Sequence, residues 1–238
     1  MNKVLACLVL LMVVLLIGCA QFTITGSGNV VTQEETISDF DSVDISSMFR
    51  VKISQGENFR VSVRVDENLV EHLDVSKQGS KLILRLKPNR SYNILNATME
   101  AEVTMPVLHR VDLSGSSEAE INGFASSESL EIDLSGMSEL SGDFQAGDTR
   151  MDTSGGSTIR ITGSGGNLSI DASGSSEVDL TDFPGADATI SASGSSTVTV
   201  NLSGRLTADA SGSSDIYYLG DPVLGSIDTS GSSTIRPK

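Results

Sequence analysis

The feature of the sequence that most restricts its fold is an eight-residue unit that recurs seven times between residue 111 and the C-terminus. The seven copies are Val111–Glu118, Ile132–Glu139, Met151–Thr158, Ile170–Glu177, Ile190–Thr197, Ala208–Asp215 and Ile227–Thr234. Each copy contains a Ser-Gly pair, and the serines of these pairs are Ser114, Ser135, Ser154, Ser173, Ser193, Ser211 and Ser230. Successive serines are 18 to 21 residues apart. Copies at such a near-constant interval are typical of repeat proteins, in which neighbouring units stack on one another.

Within each unit, alternate residues share a face, which is the pattern of a β-strand. In the fourth copy, the face expected to point inward consists of Ile170, Ala172, Gly174, Ser176, Val178 and Leu180. A coil of about 19 residues has room for two or three short strands, and it cannot bury its apolar face alone. The repeats therefore predict an all-β fold, a parallel β-helix (β-solenoid) in which stacked coils of about 19 residues share one core.

The preceding residues, 29–110, are also β-like but less regular. Segments such as Arg60–Val65 alternate cleanly, and Val43–Arg50 resembles a worn copy of the repeat with Ser47 in place of the glycine. We therefore expect 29–110 to be an irregular N-terminal part of the same solenoid and 111–238 to be its seven-repeat part. Two separate domains are the alternative.

Residues 1–18 have the features of a secretory signal peptide, because a basic residue is followed by an almost unbroken apolar run. The run is shorter than the about 20 residues that a membrane-spanning helix requires. The stretch Leu16–Cys19 resembles the lipobox of prokaryotic lipoproteins, which implies cleavage before Cys19 and acylation of its thiol. Residues 19–28 would then be a lipidated tether that joins the membrane to the solenoid. An uncleaved membrane helix and an ordinary signal peptide are the alternatives.

The charge of the chain limits its partners. It carries 31 acidic and 16 basic residues, a formal net charge of −15. Such a surface repels nucleic acid and anionic headgroups, so we expect no nucleic-acid partner, whereas cations, basic surfaces and neutral glycans are compatible with it. Cys7 and Cys19 are the only cysteines. The chain after Cys19 therefore contains no disulfide, cysteine nucleophile or cysteine metal site.

The whole chain after the leader resembles the putative auto-transporter adhesin, head GIN domain family, formerly a domain of unknown function. The resemblance rests on Gly26–Asn29, on Phe40–Asp44 and on the Asp-x-Ser-Gly-Ser-Ser repeats. It implies a right-handed β-helix in an exported prokaryotic protein. It supplies no catalytic residues.

An outward column of aspartates is the strongest candidate for a cation or ligand surface. Its members are Asp112, Asp133, Asp152, Asp171, Asp209 and Asp228, with Ser191 interrupting the series. Stacked in register, neighbouring carboxylates would lie about 5 Å apart and repel each other by about 1 kcal/mol in water. Two arrangements would offset this repulsion. Each aspartate could accept backbone N–H bonds in an Asx turn at the following Ser-Gly bend, or Ca²⁺ ions could bridge successive coils.

The serines of the Ser-Gly pairs form a second column, for which two interpretations stay open. The hydroxyls could satisfy one another between coils, or they could form a flat polar surface that binds glycans. His72 and His109 lie outside the repeats, so no serine is paired with a histidine as a nucleophile would require.

These features favour a cell-envelope lipoprotein that is anchored to the membrane through Cys19 and displays a repetitive, non-catalytic surface for adhesion to a glycan or a cell-surface protein. A structural envelope component is the first alternative, and a polysaccharide-active β-helix enzyme is the second. The C-terminal edge at Ile235–Lys238 is either protected by Pro237 and its flanking charges or is a contact for a second copy of the chain.

Overall fold

The structure is a computed structural model that describes residues 23–238. The predicted signal peptide, 1–18, and Cys19 lie outside the described residues. The described residues before Arg110 form nine strands and one short 3₁₀ helix. The elements are β1 (Thr23–Thr25), β2 (Val30–Glu35), β3 (Ser42–Ile45), β4 (Arg50–Gln55), β5 (Arg60–Asp66), the 3₁₀ helix (Glu67–His72), β6 (Leu73–Gln78), β7 (Lys81–Leu86), β8 (Ser91–Asn93) and β9 (Met99–Met105).

The residues from Arg110 onward form fourteen strands, two for each coil. They are β10 (Arg110–Leu113), β11 (Glu118–Ala125), β12 (Leu130–Leu134), β13 (Glu139–Gln145), β14 (Thr149–Thr153), β15 (Thr158–Ser164), β16 (Leu168–Ala172), β17 (Glu177–Gly185), β18 (Ala188–Ala192), β19 (Thr197–Leu202), β20 (Arg205–Ala210), β21 (Asp215–Gly220), β22 (Val223–Thr229) and β23 (Thr234–Pro237).

The strands of the coils build two long sheets that face each other across one core. The ten-stranded sheet has the order β22-β20-β18-β16-β14-β12-β10-β3-β7-β6, and the eleven-stranded sheet has the order β2-β5-β9-β4-β11-β13-β15-β17-β19-β21-β23. A small third sheet pairs β1 with β8. From β10 onward every pairing is parallel, and each strand pairs with the equivalent strand of the next coil. The predicted β-solenoid is therefore confirmed, with two strands in each coil.

The core follows the predicted alternation of faces, with one exception. In the fourth copy Ile170, Ala172 and Ser176 are buried, whereas Asp171 is exposed. Gly174 was expected to point inward, but it is exposed. The three residues 173–175 form a corner between β16 and β17, and Gly174 lies at its apex with a φ of +77°. The Ser-Gly unit is thus a corner between the two sheets rather than the middle of one strand.

Glycine is required at the corner for two reasons. A φ of +77° is unfavourable for residues that carry a Cβ. A Cβ on Gly174 would also lie 2.5 Å from the carbonyl oxygen of Gly155 in the previous coil. That oxygen accepts a 2.7 Å hydrogen bond from the backbone N–H of Ser175, so the coils approach each other closely at this point. In the worn copy, Ser47 adopts the same conformation with a φ of +68°.

The serine three residues after the serine of each Ser-Gly pair stabilises the corner from inside. The Ser176 hydroxyl is buried and donates a 2.6 Å hydrogen bond to the carbonyl oxygen of Ser173, three residues earlier. The equivalent bonds are made by Ser117, Ser138, Ser157, Ser196, Ser214 and Ser233. A buried hydroxyl needs such a partner, and a backbone carbonyl at a corner needs a donor. The repeated serine therefore has a structural role in every coil.

The irregularity of the N-terminal part has a topological cause. The worn copy supplies β3 and β4, which pair in parallel with β10 and β11. The chain then leaves this coil and builds β5 to β9 on its other side before it returns to β10. At the far end, β2 pairs with β5, β5 with β9 and β6 with β7, all antiparallel. These pairs make up the N-terminal end of the solenoid.

Candidate functional site

The predicted aspartates form one column on the outer face of the ten-stranded sheet. In spatial order the positions are Asp44, Asp112, Asp133, Asp152, Asp171, Ser191, Asp209 and Asp228. We call this set the aspartate column. Asp44 was missing from the sequence prediction, although its place in the worn copy of the repeat was a sufficient signal. Neighbouring strands of a sheet lie about 4.8 Å apart, so like charges face one another along the column.

Basic side chains, and not Asx turns, compensate the N-terminal half of this column. The Arg110 guanidinium contacts Asp112, with a distance of 2.7 Å between Nε and Oδ1, and it also contacts Asp133 of the next coil. The Lys81 ammonium contacts Asp112 from the opposite side. Among the described residues, no hydrogen bond joins Asp112 or Asp133 to a backbone N–H. The Asx turns expected from the sequence are therefore wrong at these positions.

The same arrangement recurs two coils further along. Nη2 of Arg150 lies 2.9 Å from Oδ2 of Asp152 and 3.1 Å from Oδ2 of Asp171. Arg110 and Arg150 each stand two residues before an aspartate on the same strand, so both side chains point to the outer face. Sequence reasoning missed both arginines, although the Arg-x-Asp spacing within an alternating strand was the signal that could have found them.

The aspartates of the column make fewer salt bridges with basic side chains toward the C-terminus. The exposed fraction of the side chain rises from 19% at Asp112 to 28% at Asp133, 35% at Asp152 and 53% at Asp171. Asp209 makes no salt bridge with another described residue. Asp228 accepts a 2.7 Å hydrogen bond from the Ser226 hydroxyl. The column therefore has a charge-compensated half and an open, acidic half.

Burial and crowding perturb the carboxyls near the N-terminal end. Burial raises the pKa of Asp133 to about 6, with Asp112, Asp152 and Glu131 adding to the rise and Arg110 opposing it. Burial also raises the pKa of Asp44, against the attraction of Lys81. A carboxyl whose pKa is near 6 changes its charge close to neutral pH.

Within residues 23–238, no group of three or more His, Cys, Asp or Glu side chains is arranged to hold a metal ion. Each coil brings one carboxylate to the column, while Ca²⁺ takes six to eight oxygen ligands. The calcium bridge between coils stays a prediction, and its most open position is the acidic half near Asp209 and Asp228.

The serines of the Ser-Gly pairs lie beside the aspartate column. Five of them, together with the aspartates from Asp44 to Asp171, line a shallow open groove along the ten-stranded sheet. The five are Ser114, Ser135, Ser154, Ser173 and Ser193. Only Ser173 among the seven serines of this column donates its hydroxyl to a neighbouring coil in the described residues, at 3.2 Å to the carbonyl oxygen of Thr153. The expected ladder of hydroxyls that bond one another between coils is therefore wrong at these serines.

The outer face of the eleven-stranded sheet is occupied by ion pairs. Arg160 bridges Glu139 and Glu177 of the two adjacent coils, at 3.3 and 2.9 Å. Near the C-terminal end the guanidinium of Arg236 lies over the ring of Tyr217, 5.2 Å from its centroid. One face of the Tyr217 ring is thus covered by Arg236. The open polar groove on the ten-stranded sheet carries the repeated aspartates and serines and is the candidate surface.

The sequence matches the model of the family described as putative auto-transporter adhesin, head GIN domain, over residues 39–222. No curated protein matches it. Among residues 23–238, the structure has no helix of the length and apolar character that crossing a bilayer demands.

Solved structures share the fold. A putative adhesin from Bacteroides fragilis is 17% identical with a TM-score of 0.80, and the match covers 90% of this chain and 100% of that one. A putative lipid binding protein from Parabacteroides distasonis is 23% identical with a TM-score of 0.75, covering 91% of this chain and 99% of that one. A putative adhesin from Parabacteroides merdae is 16% identical with a TM-score of 0.68, and the match covers 91% of this chain and 99% of that one. At these identities the likeness concerns the fold alone.

Proposed function

Because the chain belongs to the family of putative auto-transporter adhesin, head GIN domains, we propose that it is a lipid-anchored protein of the prokaryotic cell envelope whose solenoid binds a glycan or a cell-surface protein without catalysing a reaction. The single observation that carries this proposal is the open groove on the ten-stranded sheet. There the aspartate column and the serines of the Ser-Gly pairs present the same polar groups coil after coil.

A repeated surface suits a repeated ligand. Except in the coil of Ser191, each coil offers one carboxylate and one hydroxyl at a spacing of about 4.8 Å, so a polymer with many similar polar groups can bind several coils at once. Contacts that are weak individually combine, because the first contact raises the effective concentration of the next. A catalytic site would instead require one position that departs from the repeat, such as a pair of carboxyls with divided acid and base roles.

Anchoring through Cys19 would place this surface outside the cell membrane. The lipobox-like stretch Leu16–Cys19 supports acylation of the cysteine. Intact-mass measurement of the protein purified from membranes should show a chain that begins at Cys19 and carries acyl groups. The Cys19→Ser variant should lack them and should appear in the soluble fraction. A wild-type chain that retains residues 1–18 would refute the anchor.

Adhesion is tested by binding of the purified protein to arrays of host and envelope glycans and to whole cells, with calcium and with chelator. The test variant is Asp171→Asn, Asp209→Asn and Asp228→Asn combined, because these three carboxylates are exposed. The matched control is Asp143→Asn with Asp182→Asn, which removes exposed acids from strands of the eleven-stranded sheet.

We expect the triple variant to lose binding while the control retains it. Equal binding by both would show that the aspartate column is not the ligand surface. Turnover of an envelope polysaccharide by the wild-type protein would favour the enzyme alternative, and an absence of binding to every glycan and cell would favour a structural role.

A further inference from the structure

The charge of this acidic protein is unevenly distributed along the chain. Residues 75–99 contain five basic residues and no acidic one, whereas the remaining chain has 16 − 5 = 11 basic and 31 acidic residues. The five are Lys77, Lys81, Arg85, Lys87 and Arg90. This basic segment includes β7 and β8 and lies at the N-terminal end of the solenoid.

Three of these cations form no salt bridge with a carboxylate among the described residues. Lys81 contacts Asp112, and Arg85 contacts Asp74. The ammonium of Lys77 donates a 3.1 Å hydrogen bond to the carbonyl oxygen of Asp39. Lys87 and Arg90 are exposed, and the Lys87 ammonium donates a 2.7 Å hydrogen bond to the carbonyl oxygen of Glu71. Both lie in the segment Lys87–Thr98, which joins β7 to β9 and which we call the β8 connector.

The β8 connector also carries the most exposed of the large apolar side chains among the described residues. Leu95 is 77% exposed. Two hydrogen bonds within the connector hold the chain around Leu95 in place. The Tyr92 hydroxyl donates a 2.9 Å hydrogen bond to the carbonyl oxygen of Lys87, and the Ala97 N–H donates a 3.1 Å hydrogen bond to the carbonyl oxygen of Ile94. Tyr92 and Ile94 pack against the core. Leu95 is thus presented to solvent by an ordered segment.

The position of the connector relates it to the N-terminus. β1 pairs in parallel with β8, and Thr23 stands opposite Ser91. The chain therefore enters the solenoid directly beside Arg90. Cys19 is four residues before Thr23, a distance that an extended chain spans with at most about 14 Å. A lipid on Cys19 would hold the β8 connector against the membrane surface.

We infer that the β8 connector is a membrane-contact surface, in which Leu95 enters the interfacial layer and Lys87 and Arg90 bind anionic headgroups. An apolar side chain flanked by cations is the pattern of interfacial membrane binding. The neighbouring Glu67 and Glu71 offset part of the positive charge, so the contact depends on Leu95 and on the nearby anchor as well as on the cations. This inference rests on the proposed lipid anchor.

The contact sets the orientation of the molecule. The connector lies beside the β7 end of the ten-stranded sheet, eight strands away from β22. At about 4.8 Å for each strand, the last coil stands roughly 38 Å further from the bilayer. The aspartate column would then run outward from the membrane, with its open, acidic half at the outer end.

The absence of tryptophan from the chain gives a direct test. Leu95→Trp and Leu224→Trp each introduce a single fluorophore at an exposed position, Leu224 being 50% exposed on β22. Each full-length variant is purified from membranes, its acylation is checked by mass, and it is placed in anionic nanodiscs whose acyl chains are brominated. We expect quenching of the Leu95→Trp emission and none for Leu224→Trp. Adding Lys87→Gln and Arg90→Gln should weaken the contact, by roughly 5-fold for each cation removed.

The outcomes separate this inference from the anchor itself. An acylated protein in which neither tryptophan is quenched, or only that of Leu224→Trp, overturns the membrane-contact surface and leaves the anchor in place. An unacylated protein overturns the anchor. Its tryptophans are then measured with nanodiscs added from solution, where quenching of Leu95→Trp supports the surface and no quenching overturns it. Protection of Leu95→Trp from iodide without any lipid overturns it in favour of a protein contact.

Discussion

Replacement of Asp133 by asparagine should stabilise the protein at neutral pH. Burial raises the pKa of Asp133 to about 6 from its ordinary value of 3.8, because the opposing attraction of Arg110 is outweighed by burial and by Asp112, Asp152 and Glu131. The folded state consequently holds this proton to a higher pH than the unfolded chain does. The stability associated with the protonated carboxyl is fully present below about pH 4 and is lost as the pH rises through about 6.

The magnitude follows from the two pKa values. The difference between 3.8 and about 6 corresponds to about 3 kcal/mol. This is an upper limit for the gain, since the Asp133 side chain is 28% exposed and the variant gives up the contact with Arg110. We therefore expect Asp133→Asn to raise the free energy of unfolding by about 1 to 3 kcal/mol at pH 7. The advantage should shrink by roughly 1 kcal/mol at pH 5, where the wild-type carboxyl is largely protonated.

Urea denaturation at the two pH values measures this difference, and pH 5 stays above the isoelectric point of about 4.4. The control is Asp209→Asn, which removes the same charge from the same column at an exposed position. The gain in stability at pH 7 should be larger for Asp133→Asn than for this control. If Asp133→Asn is less stable than the wild type at pH 7, or if its gain in unfolding free energy does not change with pH, the charged form of Asp133 does not destabilise the folded state and the reasoning is refuted.

Three further predictions concern the corner and the groove. Gly174→Ala should destabilise the protein by about 2 kcal/mol more than Gly79→Ala in urea denaturation, because both glycines have a positive φ but only the first has no room for a Cβ. Ser176→Ala should cost about 1 to 2 kcal/mol by the same measurement, whereas the exposed Ser175→Ala should cost less than about 0.5 kcal/mol. Millimolar calcium should leave the melting midpoint unchanged, because arginines already compensate half of the aspartate column. A raised midpoint would instead indicate a calcium site on the column.

The repeat was sufficient to predict the solenoid, because a period of about 19 residues together with an alternation of two allows few other folds. The repeat was not sufficient to predict the corner between the two sheets. Ala172 and Ser176 are four residues apart and both point inward, so counting by two along one strand also placed Gly174 inside. The chain in fact turns from one sheet to the other between them, and the turn directs the glycine outward. Alternation describes a face only while the strand is continuous.

The order of the N-terminal strands was not predictable from periodicity for a different reason. Val43–Arg50 resembles the repeat and does lie next to the first full copy, as β3 and β4. The strands β5 to β9, however, follow it in sequence and lie on its far side. Their antiparallel pairing carries no repeat signal, since register between such strands depends on their turns and on which faces are buried. The arginines that contact the aspartates, in contrast, could have been predicted from the sequence, because two residues that are two positions apart on a strand share a face.

The aspartate column shows how a solenoid tolerates identical charges in register. Carboxylates stacked about 4.8 Å apart in successive coils repel one another. In the N-terminal half, arginines two residues before Asp112 and Asp152 each contact the aspartates of two adjacent coils and offset part of their repulsion. Where these arginines end, Ser191 replaces an aspartate and doubles the interval to about 10 Å, near the screening length of physiological salt. Both devices limit repulsion without a bound cation. The acidic groups that stay uncompensated at the C-terminal end of the column are therefore not needed by the fold and are available to a ligand.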